Sequence, residues 1–346
     1  MSPVHRLGFA CQYRHPPGSE SLKELEALQR GYNPRTTTLR WLNSVAAEVA
    51  EAKLLEVIAH NLAAQRQLLA YVAGLPAELH MLRLSSDLLP FYSHPEWAAF
   101  YQRAEVRALL EQGFAAIGEQ GRVADIRLSF HPGQFCVLGS DKPQVLVNSL
   151  AEFEYHADMI RWMGYGRHFQ DFKCNVHIAG RLGAEGVRAA WPKLSEVARR
   201  CITFENEEKT YGIDACLALT DLAPVVLDIH HSWINEEQRI APDSPRVARI
   251  IDSWRGVRPV MHYSQPVEHL QALGFDLENP LEMPDVLAKV SKRELYGHSA
   301  TMWNEAVNRY ALAFLDRFDM MFEAKAKNLA VLAFYNRYLA RERGRR

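Results

Sequence analysis

Two periods alternate along the chain. Short runs of apolar residues, or of apolar and polar residues in strict alternation, occur at 5–11 (HRLGFAC), 79–86 (LHMLRLSS), 125–131 (DIRLSFH), 172–178 (FKCNVHI), 201–206 (CITFEN), 224–230 (PVVLDIH), 258–264 (RPVMHYS) and 319–324 (DMMFEA), and each reads as a buried strand. Between them apolar residues recur at helical spacing over 39–72, 95–120, 142–163, 184–199 and 247–254, with a closing helix over 325–341. The stretch 280–315 is mostly helical, with a break at Tyr296-Gly297-His298, and the polar stretch 18–35, with its Gly and Pro, reads as a loop. Strand and helix in alternation imply a parallel sheet. Eight such strands, with no linker-like boundary between them, imply closure into a (β/α)₈ TIM barrel. The expectation is an α/β chain forming one domain over 1–346, with extended loops and a long helical insertion near the C-terminal third. An open doubly wound sheet is the alternative, but no Gly-rich phosphate loop follows the first strand.

Composition narrows the class without naming a function. At 346 residues and 48% hydrophobic, the chain can bury a large core without disulfide staples. Its five cysteines are odd in number and form no CxxC pair, so they read as reduced core thiols of a cytoplasmic protein. No apolar run is long enough to span a bilayer, and no obligate protein partner is evident. A net charge of −1 provides no global basic field for a polyanion, which leaves only the possibility that Lys and Arg cluster on one face. The basic end, 341–346, reads as a solvated tail.

The chemistry lies where the strands stop. In a barrel all strand carboxyl ends open on one face, and six of these runs carry a histidine or an acid there: His131, His177, Glu205, Asp228, His262 and Glu323, joined by His230 or His231. Any one of them alone is compatible with a hydrogen-bonded core histidine or a capping acid. Together they would bury carboxylates at great cost unless a cation pairs with them. Mixed imidazole and carboxylate donors suit Mn²⁺ first, with Zn²⁺ or Fe²⁺ as alternatives, and are too nitrogen-rich for Ca²⁺ or Mg²⁺. So many donors imply two to three divalent ions sharing Glu205 or another carboxylate, an arrangement suited to in-line displacement at phosphorus. Strand geometry alone pairs Asp228 with His230, since side chains two apart share a face.

The motifs in order are Arg-Leu-Ser-Ser at 83–86, Ser93-His94-Pro95, Ser-Phe-His-Pro-Gly-Gln-Phe at 129–135, Asn-Val-His-Ile-Ala-Gly at 175–180, Glu-Asn-Glu-Glu-Lys-Thr at 205–210, Leu-Asp-Ile-His-His at 227–231 and Glu323-Ala324-Lys325. This series resembles the UV damage endonucleases, whose barrel is akin to that of the AP endonuclease IV family and, more distantly, of the xylose isomerase-like barrels. The resemblance implies one ion on His131, His177 and Glu205, a second on Glu205, Asp228, His262 and Glu323, and a third on His231 and His298. It selects His231 over His230. It also makes Glu205 and His94 the expected catalytic residues, though His94 is equally readable as a turn residue before Pro95.

By the same resemblance Gln134 and Phe135 would form a wedge that fills the gap left by an extruded dinucleotide, where an amide and a flat ring replace lost pairing and stacking. Phe135 could instead pack its loop on the barrel. Phe9, where a tyrosine is common, would keep a stacking surface toward DNA. Within a Pro-Lys-x-His motif the family usually carries a lysine by the metals, associated with a carboxylated form. Here Pro259-Val260-Met261-His262 lacks it. The function implied is a metal-dependent DNA repair endonuclease that nicks 5′ to ultraviolet photoproducts, with abasic sites secondary, in damaged double-stranded DNA. A barrel enzyme that kept the metals but acts on a small molecule or modified peptide, and a silent damage-binding protein, are the alternatives.

Overall fold

In the computed structural model, which describes residues 5–340, every expected strand forms, though shorter than its apolar run. The strands are β1 (Leu7–Ala10), β2 (Met81–Arg83), β3 (Arg127–Phe130), β4 (Lys173–His177), β5 (Ile202–Glu205), β6 (Val225–Asp228), β7 (Val260–Tyr263) and β8 (Asp319–Phe322). They pair in parallel in chain order, and β8 returns to β1, so the sheet closes as a barrel. Closure removes the edges at which unpaired backbone would meet water. Helices Ala47–Ala73, Ala104–Val123 and Pro143–Trp162 cover the wall from β1 to β4. Shorter ones, including Pro245–Ser253, Glu305–Leu312 and Asn328–Tyr338, cover the rest. The main core lies between strands and helices.

Inside the barrel, alternation sorts the residues by height. Ala10, Met81, Val226, Val260 and Met321 form a separate apolar cluster with Trp254. Three of these stand two positions before a site residue, as Val226 before Asp228, Val260 before His262 and Met321 before Glu323, so the apolar layer lies directly beneath the rim. The opposite end is closed by ions. Asp319, nearly fully buried, accepts from Arg127 Nη1 at 2.7 Å and Arg258 Nε at 2.9 Å. Two guanidiniums and a backbone N–H from Arg6 on one carboxylate satisfy a charge that would otherwise be costly to bury.

Local structure departs from expectation in three places. The stretch 18–35 contains a helix, Leu22–Gln29, opened by a Ser21/Glu24 capping box; it buries no residue, so apolar spacing carries no trace of it. The helical stretch over 280–315 is broken into Met283–Leu287, a 3₁₀ turn at Lys292–Tyr296 and Glu305–Leu312, each started by its own Pro or cap. The run 224–230 stops as a strand at Asp228, and a helix, Ile229–Glu236, begins at once. The basic tail at 341–346 lies outside the described residues.

Helix Ala104–Val123 approaches the end of helix Pro143–Trp162 so closely at Gly118 that a Cβ there would lie 1.9 Å from the carbonyl oxygen of Met163. Gly118→Ala is expected to lower stability by about 2 kcal/mol or more. Gly133→Ala, whose Cβ would meet nothing within 4 Å, should be neutral. Urea unfolding of both checks this, and equal midpoints would show that the helices are not held this tightly.

Candidate metal centre at the barrel mouth

Pairing register sets the site. His177 lies opposite Glu205 across β4 and β5, and Asp228 opposite His262 across β6 and β7, so side chains from distant parts of the chain stand at one level. Their donor atoms form two groups, each with all members within 4.8 Å of one another. The first is His131, His177 and Glu205; the second is Glu205, Asp228, His262 and Glu323. Glu205 belongs to both. Its Oε2 lies 3.3 Å from His131 Nε2 and 3.9 Å from His177 Nε2, and its Oε1 lies 2.9 Å from His262 Nδ1. His262 Nδ1 is also 3.3 Å from Glu323 Oε1.

The break after Asp228 decides between the two neighbouring histidines. Asp228 Oδ1 accepts the backbone N–H groups of His230 and His231, capping the helix that starts there. Residues then turn by helical steps rather than alternating, so the pairing of Asp228 with His230 from strand geometry is corrected. His230 bonds the carbonyl of Leu295 at 3.0 Å, while His231 Nδ1 comes within 3.6 Å of Glu205 Oε1 and 3.7 Å of Asp228 Oδ2. His298 Nδ1 lies 3.8 Å from Glu323 Oε2, with its ring 5.9 Å from that of His231. These two rings flank the second group rather than join it.

The electrostatics are those of a site built for cations. Burial pushes the His177 and His262 imidazoles down to about 4, against the pull of Glu205, so both are neutral at pH 7. Burial pushes the Asp228 carboxyl up to about 8; Glu205 and Glu323 add to this and His231 opposes it. Asp228 Oδ2 and His177 Nδ1 are buried with no hydrogen-bond partner. Orphaned donor atoms beside clustered carboxylates are resolved by divalent cations, and the imidazole and carboxylate donors fit a transition ion.

Several residues to which the sequence reading gave no role complete the site. Asn175 donates to Glu205 Oε2 and accepts from Thr203 Oγ1 at 2.8 Å, which fixes the shared carboxylate. Arg83 pairs with Glu323. Lys173, 2% exposed, sets its Nζ 3.2 Å from His262 Nε2, and burial pushes its ammonium down to about 7. Lys173, Asn175 and His177 alternate along β4, so their shared inward face was readable from the sequence.

The expected DNA-contacting residues divide. Phe135 is 80% exposed, and with Gln134 it lines a cavity of about 350 Å³ reaching His177 and Glu207–Lys209. His94 lies in neither ligand group; it lines a neighbouring cavity with Phe91 and Phe135, and its Nδ1 accepts the Glu96 N–H at 3.4 Å. Phe9 corrects expectation. It is 2% exposed and meets Tyr71 edge-on at 6.5 Å, because alternation turns it outward, away from the lumen that Ala10 faces. It presents no surface to DNA. His60 and His80 bond backbone carbonyls, as does the buried His156.

Residues 6–343 match the profile of the family described as UV-endonuclease UvdE. A UV DNA damage endonuclease of Bacillus cereus (strain Q1) is 26% identical over 312 residues, 87% of this chain and 87% of that protein. Another, from Bacillus velezensis, is 28% identical over 243 residues, 67% of this chain and 72% of that protein. Among solved structures, the crystal structure of SacUVDE superposes with a TM-score of 0.71 at 23% identity, covering 96% of this chain and 97% of that one. Endonuclease IV from Thermus thermophilus superposes with a TM-score of 0.50 at 14% identity, covering 80% of this chain and 93% of that one.

The raised Asp228 carboxyl carries a stability consequence. With its folded pKa above its unfolded value, the folded ion-free protein binds this proton more tightly, so the group costs stability as pH rises from about 4 to about 8. Asp228→Asn keeps an Oδ1 for the helix cap and removes that cost. In metal-free buffer the variant should gain stability relative to the unsubstituted protein between about pH 5 and about pH 8. Urea unfolding at both values measures it, and a pH-independent difference would show the carboxyl to be unperturbed.

Proposed function

The chain belongs to the UV-endonuclease UvdE family, and from that membership we propose that it is a DNA repair endonuclease that nicks duplex DNA 5′ to ultraviolet photoproducts, and secondarily at abasic sites. It works with two to three divalent ions, manganese first, on DNA in the cytoplasm. Among the described residues no helix is long and apolar enough to cross a membrane. The observation that carries the reading is Glu205, one carboxylate whose two oxygens face separate ligand groups.

Divalent ions bound to these groups would supply Lewis acidity toward a phosphodiester. The chain's own residues do the rest. Glu205 ties the two groups together, Asn175 and Thr203 hold its orientation, and Arg83 holds Glu323. His131, His177 and Glu205 would hold the first ion, and Asp228, His262 and Glu323 would complete the second around Glu205; His231 and His298, with rings 5.9 Å apart, would hold a third. His94, which lines the cavity beside Phe91 and Phe135, would join Glu205 as a catalytic residue. Gln134 and Phe135 project beside the His177 cavity, where an amide and a ring can enter a duplex at an extruded lesion. Selection follows from cost, because a distorted dinucleotide takes less energy to unstack than an intact one.

Purified protein with Mn²⁺ is expected to incise a duplex bearing one thymine dimer and to leave an undamaged duplex intact; absence of incision overturns the reading. Glu205→Gln should lower incision by at least about 10²-fold, beyond the loss typical of groups that only support a metal ligand, without loss of fold by circular dichroism. Phe135→Ala should cut the preference for damaged over undamaged DNA by about tenfold, the worth of one stacking contact. An unchanged preference would assign the ring to loop packing.

A further inference from the structure

The reverse face of the barrel carries a second concentration of functional side chains. Loops leading into β4 and β7 and the helix Glu196–Cys201 leading into β5 bring Arg167, Phe169, Arg199, Arg200 and Arg255 around one cavity of about 630 Å³, with Trp191 in its wall. These loops precede the strands, whereas the metal-centre residues follow or end them, so the cavity lies at the pole away from Glu205.

Its charge is unbalanced. Glu196 is the one carboxylate in the lining, and it pairs with Arg200. Arg200 also donates to the carbonyl of Arg167 at 2.9 Å, so this arginine has a structural task. Arg167 and Arg199 form no ion pair among the described residues. Two neighbouring acids are already engaged: Asp171 accepts the backbone N–H groups of Gly166, Arg167 and His168, and Asp221 pairs with Arg188. Four guanidiniums against one carboxylate is a local excess that a chain of net charge −1 does not require for solubility.

The aromatic residues specify the kind of anion. Arg255 holds its guanidinium 4.6 Å from the Phe169 ring centroid and donates to the Asp221 carbonyl, on a backbone in the left-handed region at φ 51°. An L residue other than Asn or Asp seldom sits there, and this one is held by the ring and the carbonyl together. Trp191 is half-buried in the wall. Guanidiniums interleaved with ring faces match a strand of nucleic acid, whose phosphates alternate with flat bases. An acidic peptide would use the arginines and leave the rings idle. The cavity is too small for a duplex and has room for one or two nucleotides.

We propose that this reverse-face cavity binds single-stranded DNA, with phosphates on Arg167, Arg199 and Arg255 and a base against Trp191. The site is independent of the metal centre and of the incision reading.

The test is fluorescence anisotropy of a labelled oligothymidine of about six nucleotides titrated with the full chain at low salt. The double variant Arg199→Glu, Arg255→Glu should weaken binding at least tenfold and flatten its salt dependence, and Trp191→Ala should weaken it about fivefold. Arg309→Glu, an exposed arginine outside this cavity, should leave it unchanged. If circular dichroism shows the double variant unfolded, Arg167→Ala, on an exposed side chain, replaces it, with a loss of about threefold expected. Affinity unaffected by the reverse-face substitutions overturns the proposal. So does a loss with Arg309→Glu equal to theirs, or displacement of the oligonucleotide by oligoglutamate of equal length as readily as by unlabelled oligothymidine.

Discussion

Three carboxylates at the end of a closed lumen are the constraint on which this structure turns. Glu205 and Asp228 are fully buried and Glu323 nearly so, and their oxygens stand within 4.8 Å of the His262 imidazole and of one another. Like charges so placed repel strongly where water does not screen them. The protein relieves part of this with its own groups, through Arg83 on Glu323, Asn175 on Glu205 and the helix N-terminus on Asp228. Burial first, and the neighbouring acids after it, push the Asp228 carboxyl up to about 8, and donor atoms remain without partners, a setting that suits cations.

Register makes the clustering possible. In a parallel barrel each strand is offset against the next, and only a fixed stagger brings side chains from 131 to 323 to one height. Beneath the rim the lumen is divided. The wall from β6 to β8 backs the ligands with Val226, Val260 and Met321, while β3 to β5 backs them with Ser129, Lys173, Asn175 and Thr203. The apolar half excludes water, and the polar half holds Glu205 in one orientation. Asp319 and its arginines close the far end, so the site opens only toward the mouth.

The replacement of a lysine by valine at 260 looks different in this setting. Val260 is an ordinary member of the apolar layer, and the lumen still contains a lysine, Lys173, brought from β4 against the far side of His262. The two poles of the barrel then differ in chemistry. At the mouth, imidazoles and buried acids face an exposed Gln-Phe tip; at the reverse, arginines and rings line the cavity.

Strand number, order of elements and the residue types at the strand ends were legible in the sequence, because burial on both faces imposes continuous apolar runs and because histidines and acids recurring at the ends of six such runs would be costly to bury together. His131, His177, Glu205, Asp228, His262 and Glu323, the members of the two ligand groups, could all be named from that position alone. What the sequence could not supply was direction. Asp228 ends a strand and caps a helix at once, so whether His230 or His231 faces Glu205 depended on a turn of backbone that apolar spacing does not record. Phe9 and Ala10 differ by one position, yet the closed sheet sends one into the helical core and the other into the lumen. Lys173 reads as one polar residue in a buried run until closure sets it beside His262, because contact across a barrel depends on shear between strands, a property of the whole sheet.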